Sequence, residues 1–276
     1  MSQTLRCGRF FLSLDRPLIM AILNVTDDSF SGDGLEGNVA RAVEQAYRMK
    51  EEGAHILDIG GESTRPGSES VSVQQELDRV IPVIEALADC DLPLSIDTLK
   101  PEVMDAALKA GIDLINDINA LRAPGALEIV AQSNAAVCLM HMQGLPGTMQ
   151  ANPHYDDVLK EVANFLAERV AAAESAGIAR DRIVVDPGFG FGKTLEHNVE
   201  LLRRLEELMV QGLPLLAGMS RKNMLGLISG QPVSERIYAG IAAHLIAAQK
   251  GARILRVHDV APLRDALAVW NAVENL

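Results

Sequence analysis

The sequence predicts an α/β fold, a (β/α)8 TIM barrel with a short N-terminal hairpin, and three observations carry that expectation. Eight short apolar runs alternate with segments of helical spacing at about 30 residues per unit, the usual repeat of an eightfold barrel. The runs are continuous rather than alternating, as in parallel strands buried on both faces. A faint internal repeat adds to this. Gly53, Gly111 and Gly251 each close a helical segment, and five residues later stand Asp58, Asn116 and Arg256, each after an apolar pair.

Taken in order, residues 5–14 read as a hairpin preceding the barrel. The strand candidates are Leu18–Val25, Ile56–Gly60, Leu92–Ile96, Leu114–Ile118, Ala135–Met140, Ile183–Val185, Leu213–Met219 and Ile254–Val257. Helical spacing joins Val39, Ala42, Val43 and Ala46, then Leu77, Val80, Ile81 and Ile84 behind a capping-box pattern, Ser72-x-x-Gln75. Val103, Ala106 and Ala107 follow Pro101, a good first-turn residue. Later helices are marked by Val158, Val162, Leu166 and Val170, by Val199, Leu202 and Leu205, by Ile237, Ile241 and Leu245, and by Leu263, Leu267 and Trp270. With no linker or low-complexity stretch, residues 1–276 read as a single domain with the barrel proper at about 18–273. A doubly wound open sheet fits the same periodicity and stays open at this point.

Composition narrows the function classes. The 276 residues are 48% hydrophobic and 22% charged, yet no apolar run approaches the roughly 18 residues of a membrane span. Met1–Arg9 lacks the basic-then-apolar order of a signal segment, so a cytoplasmic protein without membrane attachment is expected. A net charge of −12 argues against a nucleic-acid surface, and an anionic ligand would need locally placed cations. Cys7, Cys90 and Cys138 are odd in number and form no Cys-x-x-Cys pair, which predicts idle, reduced thiols.

The stretch Asp186-Pro187-Gly188-Phe189-Gly190-Phe191-Gly192-Lys193-Thr194 invites a nucleotide reading that fails. A P-loop ending at Gly192-Lys193-Thr194 needs glycine where Pro187 stands, and a dinucleotide fingerprint from Gly188 needs glycine where Lys193 stands. What remains is an aspartate at a strand tip beside a glycine-rich turn. Asp27-x-Ser29-x-Ser31-Gly32 resembles the start of a calcium loop, but Asn38 occupies the position of the closing glutamate. The histidines show no zinc spacing, and His55, His154, His197 and His244 read as surface or helix residues.

Active sites of such barrels lie at the C-terminal ends of the strands. The tips here read Asn24, Asp58 with Glu62, Asp97, Asn116 with Asp117, His141, Asp186, Ser220-Arg221-Lys222, and Arg256 with His258. Asp97 and Asn24 each have a bland alternative, a helix cap and a turn brace. The whole set does not, because buried unpaired polar groups cost several kcal/mol each. Asp97, Asn116, Asp186 and Lys222 suit the edge of a flat heterocycle, with Met140, Phe189, Phe191 and Ile118 as apolar walls. Arg65, Arg256 and His258 suit phosphate or pyrophosphate. Asn24 and Asp28 offer hard oxygens for Mg²⁺, and the segment from Ser220 offers backbone N–H groups to a carboxylate.

At this point the sequence resembles the dihydropteroate synthase family. The matching segments are Ile22–Thr26, Asp28–Ser31, Asp58–Gly67, Ser95–Thr98, Ile115–Ile118, Leu139–Gly144, Asp186–Thr194, Ser220–Lys222 and Arg256–Asp259. They run in the family's order through most of the chain, and Gly61-Glu62-Ser63-Thr64-Arg65-Pro66-Gly67 is the most specific.

The resemblance implies a transferase joining p-aminobenzoate to 6-hydroxymethyl-7,8-dihydropterin diphosphate, with release of pyrophosphate and 7,8-dihydropteroate. It implies that Asp97, Asn116, Asp186 and Lys222, with Met140 and Ile118, hold the pterin. Asn24, Arg65, Arg256 and His258 would hold the diphosphate, and Asn24 and Asp28 would ligate Mg²⁺. Phe30, Thr64, Pro66, Phe191 and Ser220 would shape the aminobenzoate pocket, where sulfonamides compete in this family. Asp97, Lys222, Arg256 and His258 would carry the chemistry, and a homodimer is the family's expectation.

One departure stands out. The family's first loop usually reads Asn-Val-Thr-Pro-Asp, whereas this chain has Asp27 at the proline position, adding a carboxylate beside the implied metal. Three rival readings fit less well. A methyltetrahydrofolate-binding barrel of corrinoid methyl transfer would lack Arg65, Arg256 and His258. A non-catalytic pterin-binding paralogue would lack some of the filled positions. A phosphate-binding aldolase or isomerase would usually carry its lysine or glutamate on a strand.

Overall fold

The computed structural model describes residues 3–25, 34–62, 70–208 and 210–274. Among them, eight parallel strands close into a barrel: β3 (Leu18–Asn24), β4 (Ile56–Gly60), β5 (Leu94–Asp97), β6 (Leu114–Asp117), β7 (Ala136–Met140), β8 (Ile183–Asp186), β9 (Leu215–Ala217) and β10 (Ala252–Val257). Pairing of β10 with β3, Leu255 opposite Ile19, completes the ring and removes the open-sheet alternative. The helices α1 (Gly34–Glu52), α2 (Val73–Ala86), α3 (Pro101–Ala110), α4 (Ala126–Ala131), α5 (Val158–Ser175), α6 (Leu195–Arg203), α7 (Asn223–Ser229), α8 (Ile237–Gln249) and α9 (Val260–Glu274) connect the strands.

Local chemistry accounts for most boundaries. Ser72 and Gln75 form the reciprocal capping box that opens α2, and Pro101 sits in the first turn of α3. Gly53, Gly111 and Gly251 all have φ near +100°, a conformation that a side chain would strain. Helix α4 lacks a sequence signature because it is six residues long with no side-chain cap. Helix α6 has a different phase from the one its apolar residues suggest. Val199 is exposed and Asn198 is buried, because the Asn198 amide bonds the Thr194 carbonyl and receives the Gly190 N–H.

The hairpin of β1 (Thr4–Cys7) and β2 (Phe10–Ser13) caps the N-terminal end of the barrel. Leu5, Cys7 and Leu14 join the buried interior cluster that includes Met20, Ile56, Leu114, Cys138, Val184 and Ile254. Asp113 fixes the hairpin there, accepting the Arg9 N–H at 3.2 Å and the Leu94 N–H at 3.1 Å. A larger apolar cluster fills the space between the strands and the helices.

The barrel interior changes character along its axis. Ile56, Leu114, Val184 and Ile254 share one buried cluster, and all come from alternate strands. The side-chain period of a strand is two. The next inward position on each of those strands is therefore Asp58, Asn116, Asp186 or Arg256. An apolar layer is followed by a fully polar one.

Candidate active site at the barrel mouth

Asp58 ties this polar layer together. It is fully buried, and its Oδ1 accepts from Ser95 Oγ at 2.5 Å. Its Oδ2 accepts from Arg256 Nε at 2.6 Å and Asn116 Nδ2 at 3.1 Å. The three residues of the internal repeat thus meet in one hydrogen-bonded group. Arg256 continues outward, its Nη2 donating to Asp97 Oδ2 at 2.7 Å. Burying these charges is tolerable because each carboxylate faces the same guanidinium.

Asp97 differs from Asp58 in one respect. Its Oδ1 is buried with no hydrogen-bond partner among the described residues. Burial pushes its carboxyl up to about 7, against the pull of Arg256 and with a further push from Asp58. Asp97 belongs to β5 and does not cap α3, whose N-cap is Lys100 with no side-chain cap bond. Asp117 and Asp186 likewise lie inside their strands, Asp186 facing inward and Asp117 on the opposite face, where it accepts the Asn119 and Leu121 N–H groups. Placement on strands gives these groups a rigid frame.

Asp186 Oδ1 accepts from the Gly188 N–H at 2.7 Å, and burial raises its pKa against the opposing charge of Lys222. Lys222 is pushed down to about 8 by burial, with Asp186 opposing. Its Nζ donates to the Phe189 carbonyl and lies 4.5 Å from the centre of the Phe191 ring. Phe191 also packs on a small apolar cluster of Ile118, Met140, Met142 and Met149. Phe189 is no part of that wall; its ring is buried in the main core. Lys222 precedes α7, so Ser220 lies on the strand-to-helix turn rather than in the helix. Ser220 Oγ accepts the His258 N–H at 3.2 Å and lies 3.0 Å from His258 Nδ1.

Asn24 ends β3 at the same rim. A Cβ placed on Gly60 would lie 3.7 Å from Asn24 Oδ1 and 3.8 Å from Asp97 Cβ, so the two side chains flank one glycine. The carboxamide oxygen is a hard ligand of the kind that suits Mg²⁺. Among the described residues no group of three or more His, Cys, Asp or Glu is placed to hold a metal ion.

The structure therefore brings together Asn24, Asp97, Asn116, Ile118, Met140, Asp186, Phe191, Ser220, Lys222, Arg256 and His258. Asp28, Phe30, Thr64, Arg65 and Pro66 lie outside the described residues, as does Asp27. Glu62 pairs with Lys100 at the start of α3; the Lys100 Nζ lies 2.7 Å from Glu62 and 2.5 Å from Glu76 of α2. Sequence reasoning missed Ser95 and gave Asp58 no role, although the glycine repeat marked Asp58. It also missed Lys193, whose Nζ is buried against His141 Nδ1, at 2.9 Å.

Comparison with known proteins agrees with this geometry. The model of the family described as "Pterin binding enzyme" matches residues 20–258. The dihydropteroate synthase of Haemophilus influenzae is 51% identical over 265 residues, covering 96% of each chain. The chain belongs to the dihydropteroate synthase family. Its fold is shared with a Xanthomonas albilineans dihydropteroate synthase solved with 4-aminobenzoic acid, at 54% identity, TM-score 0.94 and full coverage of both chains. A Yersinia pestis dihydropteroate synthase in a sulfonamide drug complex gives 48% identity and TM-score 0.94, over 99% of this chain and 100% of that one. Among the described residues, no helix of this family member is long and apolar enough to cross a membrane.

Proposed function

We propose that this chain condenses p-aminobenzoate with 6-hydroxymethyl-7,8-dihydropterin diphosphate, forming 7,8-dihydropteroate and pyrophosphate. The observation that carries the reading is the buried Oδ1 of Asp97, without a partner among the described residues, beside a mixed polar layer and the cations of the barrel mouth. A heterocycle edge rich in N–H groups would satisfy that acceptor. Asn116, Asp186 and Lys222 offer the matching amide, carboxylate and ammonium, and Ile118 and Met140 the apolar floor. Arg256 and His258, with Arg65 and Asn24, would bind the diphosphate. Phe191 and Ser220, with Phe30, Thr64 and Pro66, would receive p-aminobenzoate, and sulfonamides would compete there.

In this reaction the bond from the pterin methylene to the diphosphate oxygen breaks, and its electron pair leaves with pyrophosphate. Arg256 and His258 offset the charge that grows on that leaving group. Mg²⁺, held by Asn24 and Asp28 together with diphosphate oxygens, would add Lewis-acid neutralisation at the same place. The methylene left behind is electron-poor, and the Asp97 carboxylate stabilises it. The arylamine lone pair then forms the new C–N bond, and the proton the amine gives up passes to solvent or to the departing pyrophosphate. No step requires a serine or cysteine nucleophile, and the three cysteines are buried and free. Free thiols also accord with a cytoplasmic location.

A homodimer is supported by neighbouring apolar side chains left exposed on α7, α8 and α9, among them Leu227, Ile228, Tyr238, Ile246 and Val269. Sedimentation of the native chain and of Tyr238→Glu tests it, and a native monomer overturns it. The reaction itself is tested by following pyrophosphate and dihydropteroate together. Release that requires both substrates and Mg²⁺ supports the reading. Tight pterin binding without product would favour a binding paralogue or methyl-transfer role.

A further inference from the structure

The loop from Pro187 to Gly192 is held from behind by a buried lysine that the reaction does not use. Lys193 is 3% exposed, and among the described residues it forms no ion pair, although the Asp186 carboxylate lies near enough to act on its charge. Its Nζ donates to the Gly188 carbonyl at 2.9 Å and the Phe191 carbonyl at 3.1 Å, and lies 2.9 Å from His141 Nδ1. In its protonated form the amine has three N–H donors for these three acceptors, and burial pushes its pKa down to about 7 against the opposing charge of Asp186. Burial of the His141 ring and the Lys193 charge keep that imidazole neutral, pushed down to about 2, so Nδ1 is available as an acceptor. Burying an ammonium is costly, and an apolar residue would pack here more cheaply if packing were its only task.

The two carbonyls that Lys193 holds bracket Phe189, whose own carbonyl receives Lys222 Nζ. They also bracket the backbone that sets the Phe191 ring beneath Lys222. Gly188, the first of them, gives its N–H to Asp186. One amine therefore fixes the backbone that orients both Asp186 and Lys222. We infer that Lys193 is a positioning residue for the pterin subsite, setting the placement of Lys222 and Asp186 through the Gly188–Phe191 backbone. This rests on the reading of those two residues as pterin ligands.

The test is Lys193→Met, which keeps the length and apolar stem but removes all three donors, assayed beside the native enzyme. The expected result is a KM for the pterin diphosphate raised about tenfold or more, with the melting temperature lowered by only a few degrees. A lowered melting temperature with native KM would mean a merely structural lysine and would overturn the inference. If Lys193→Met does not accumulate as folded protein, Lys193→Gln decides by the same KM criterion. Native enzyme that turns over neither substrate would instead remove the synthase reading, which separates the two failures.

Discussion

Asp97 gives one carboxylate oxygen to Arg256, at 2.7 Å from Nη2, and keeps the other buried without a partner among the described residues. The pair is therefore half-finished on the side of the barrel mouth. A group that ends a network in this way is stable only if a ligand completes it or if its charge is tolerated at a cost.

That cost sets a prediction for Asp97→Asn. The native carboxyl has its pKa raised from 3.8 to about 7, so the folded state binds the proton more tightly than the unfolded state does. Stability from this group is present at low pH and is lost as pH rises through about 7. The carboxamide of the variant carries no charge and also leaves Arg256 with one carboxylate fewer, so the part of the fall in stability between pH 4 and pH 8 that comes from Asp97 should be absent from the variant. Calorimetry of both proteins at pH 4 and pH 8 checks this, and an equal drop in melting point for the two refutes it.

Turnover should fall. Loss of the Asp97 charge should lower kcat about 100-fold while weakening pterin binding much less, since the charge is needed as the methylene becomes electron-poor. Unchanged kcat with weaker binding would assign Asp97 to binding alone.

The pH profile should be narrow. The proposed mechanism needs Asp97 ionised, above about 7, and Lys222 protonated, below about 8. A plot of kcat/KM for the pterin substrate should rise through the first value and fall through the second. Lys222→Arg should keep the rising limb and lose the falling one, because a guanidinium stays charged throughout.

Asp58 should behave as a structural anchor. Asp58→Ala strips partners from Ser95, Asn116 and Arg256 at once and leaves a buried guanidinium with less compensation. A destabilisation of about 3–5 kcal/mol in urea unfolding is expected. Ser95→Ala removes a single bond and should cost about 1 kcal/mol.

The glycines of the 187–192 loop should differ from one another. A Cβ on Gly188 would overlap the His141 carbonyl oxygen, so Gly188→Ala should fail to accumulate as folded protein. At Gly190 a Cβ meets only the flexible Lys222 side chain, at 3.2 Å, besides the strain of φ +78°. Gly190→Ala should fold, lose about 1 kcal/mol, and bind the pterin substrate more weakly. Expression yield and KM distinguish the two.

Eight strands, most of the helices and the polar residue at each strand tip are legible without coordinates. These depend on local causes: side-chain periodicity, caps, and glycine at positive φ, all of which act within a few residues. The membership of the barrel mouth is legible too, because an eightfold parallel barrel sends every strand's C-terminal end to one rim. How those residues divide their bonds is settled only in three dimensions. Asp58 meets Ser95, Asn116 and Arg256 across separations of 37, 58 and 198 residues, for which no local pattern exists. Lys193 reads in sequence as a failed phosphate-binding lysine, and only the return of the chain at His141 turns it into a buried brace. Asp97 and Asp58 look alike in sequence as aspartates at strand tips. Closure of the barrel satisfies both oxygens of one and leaves an oxygen of the other open, because hydrogen-bond partners are assigned by distance in space.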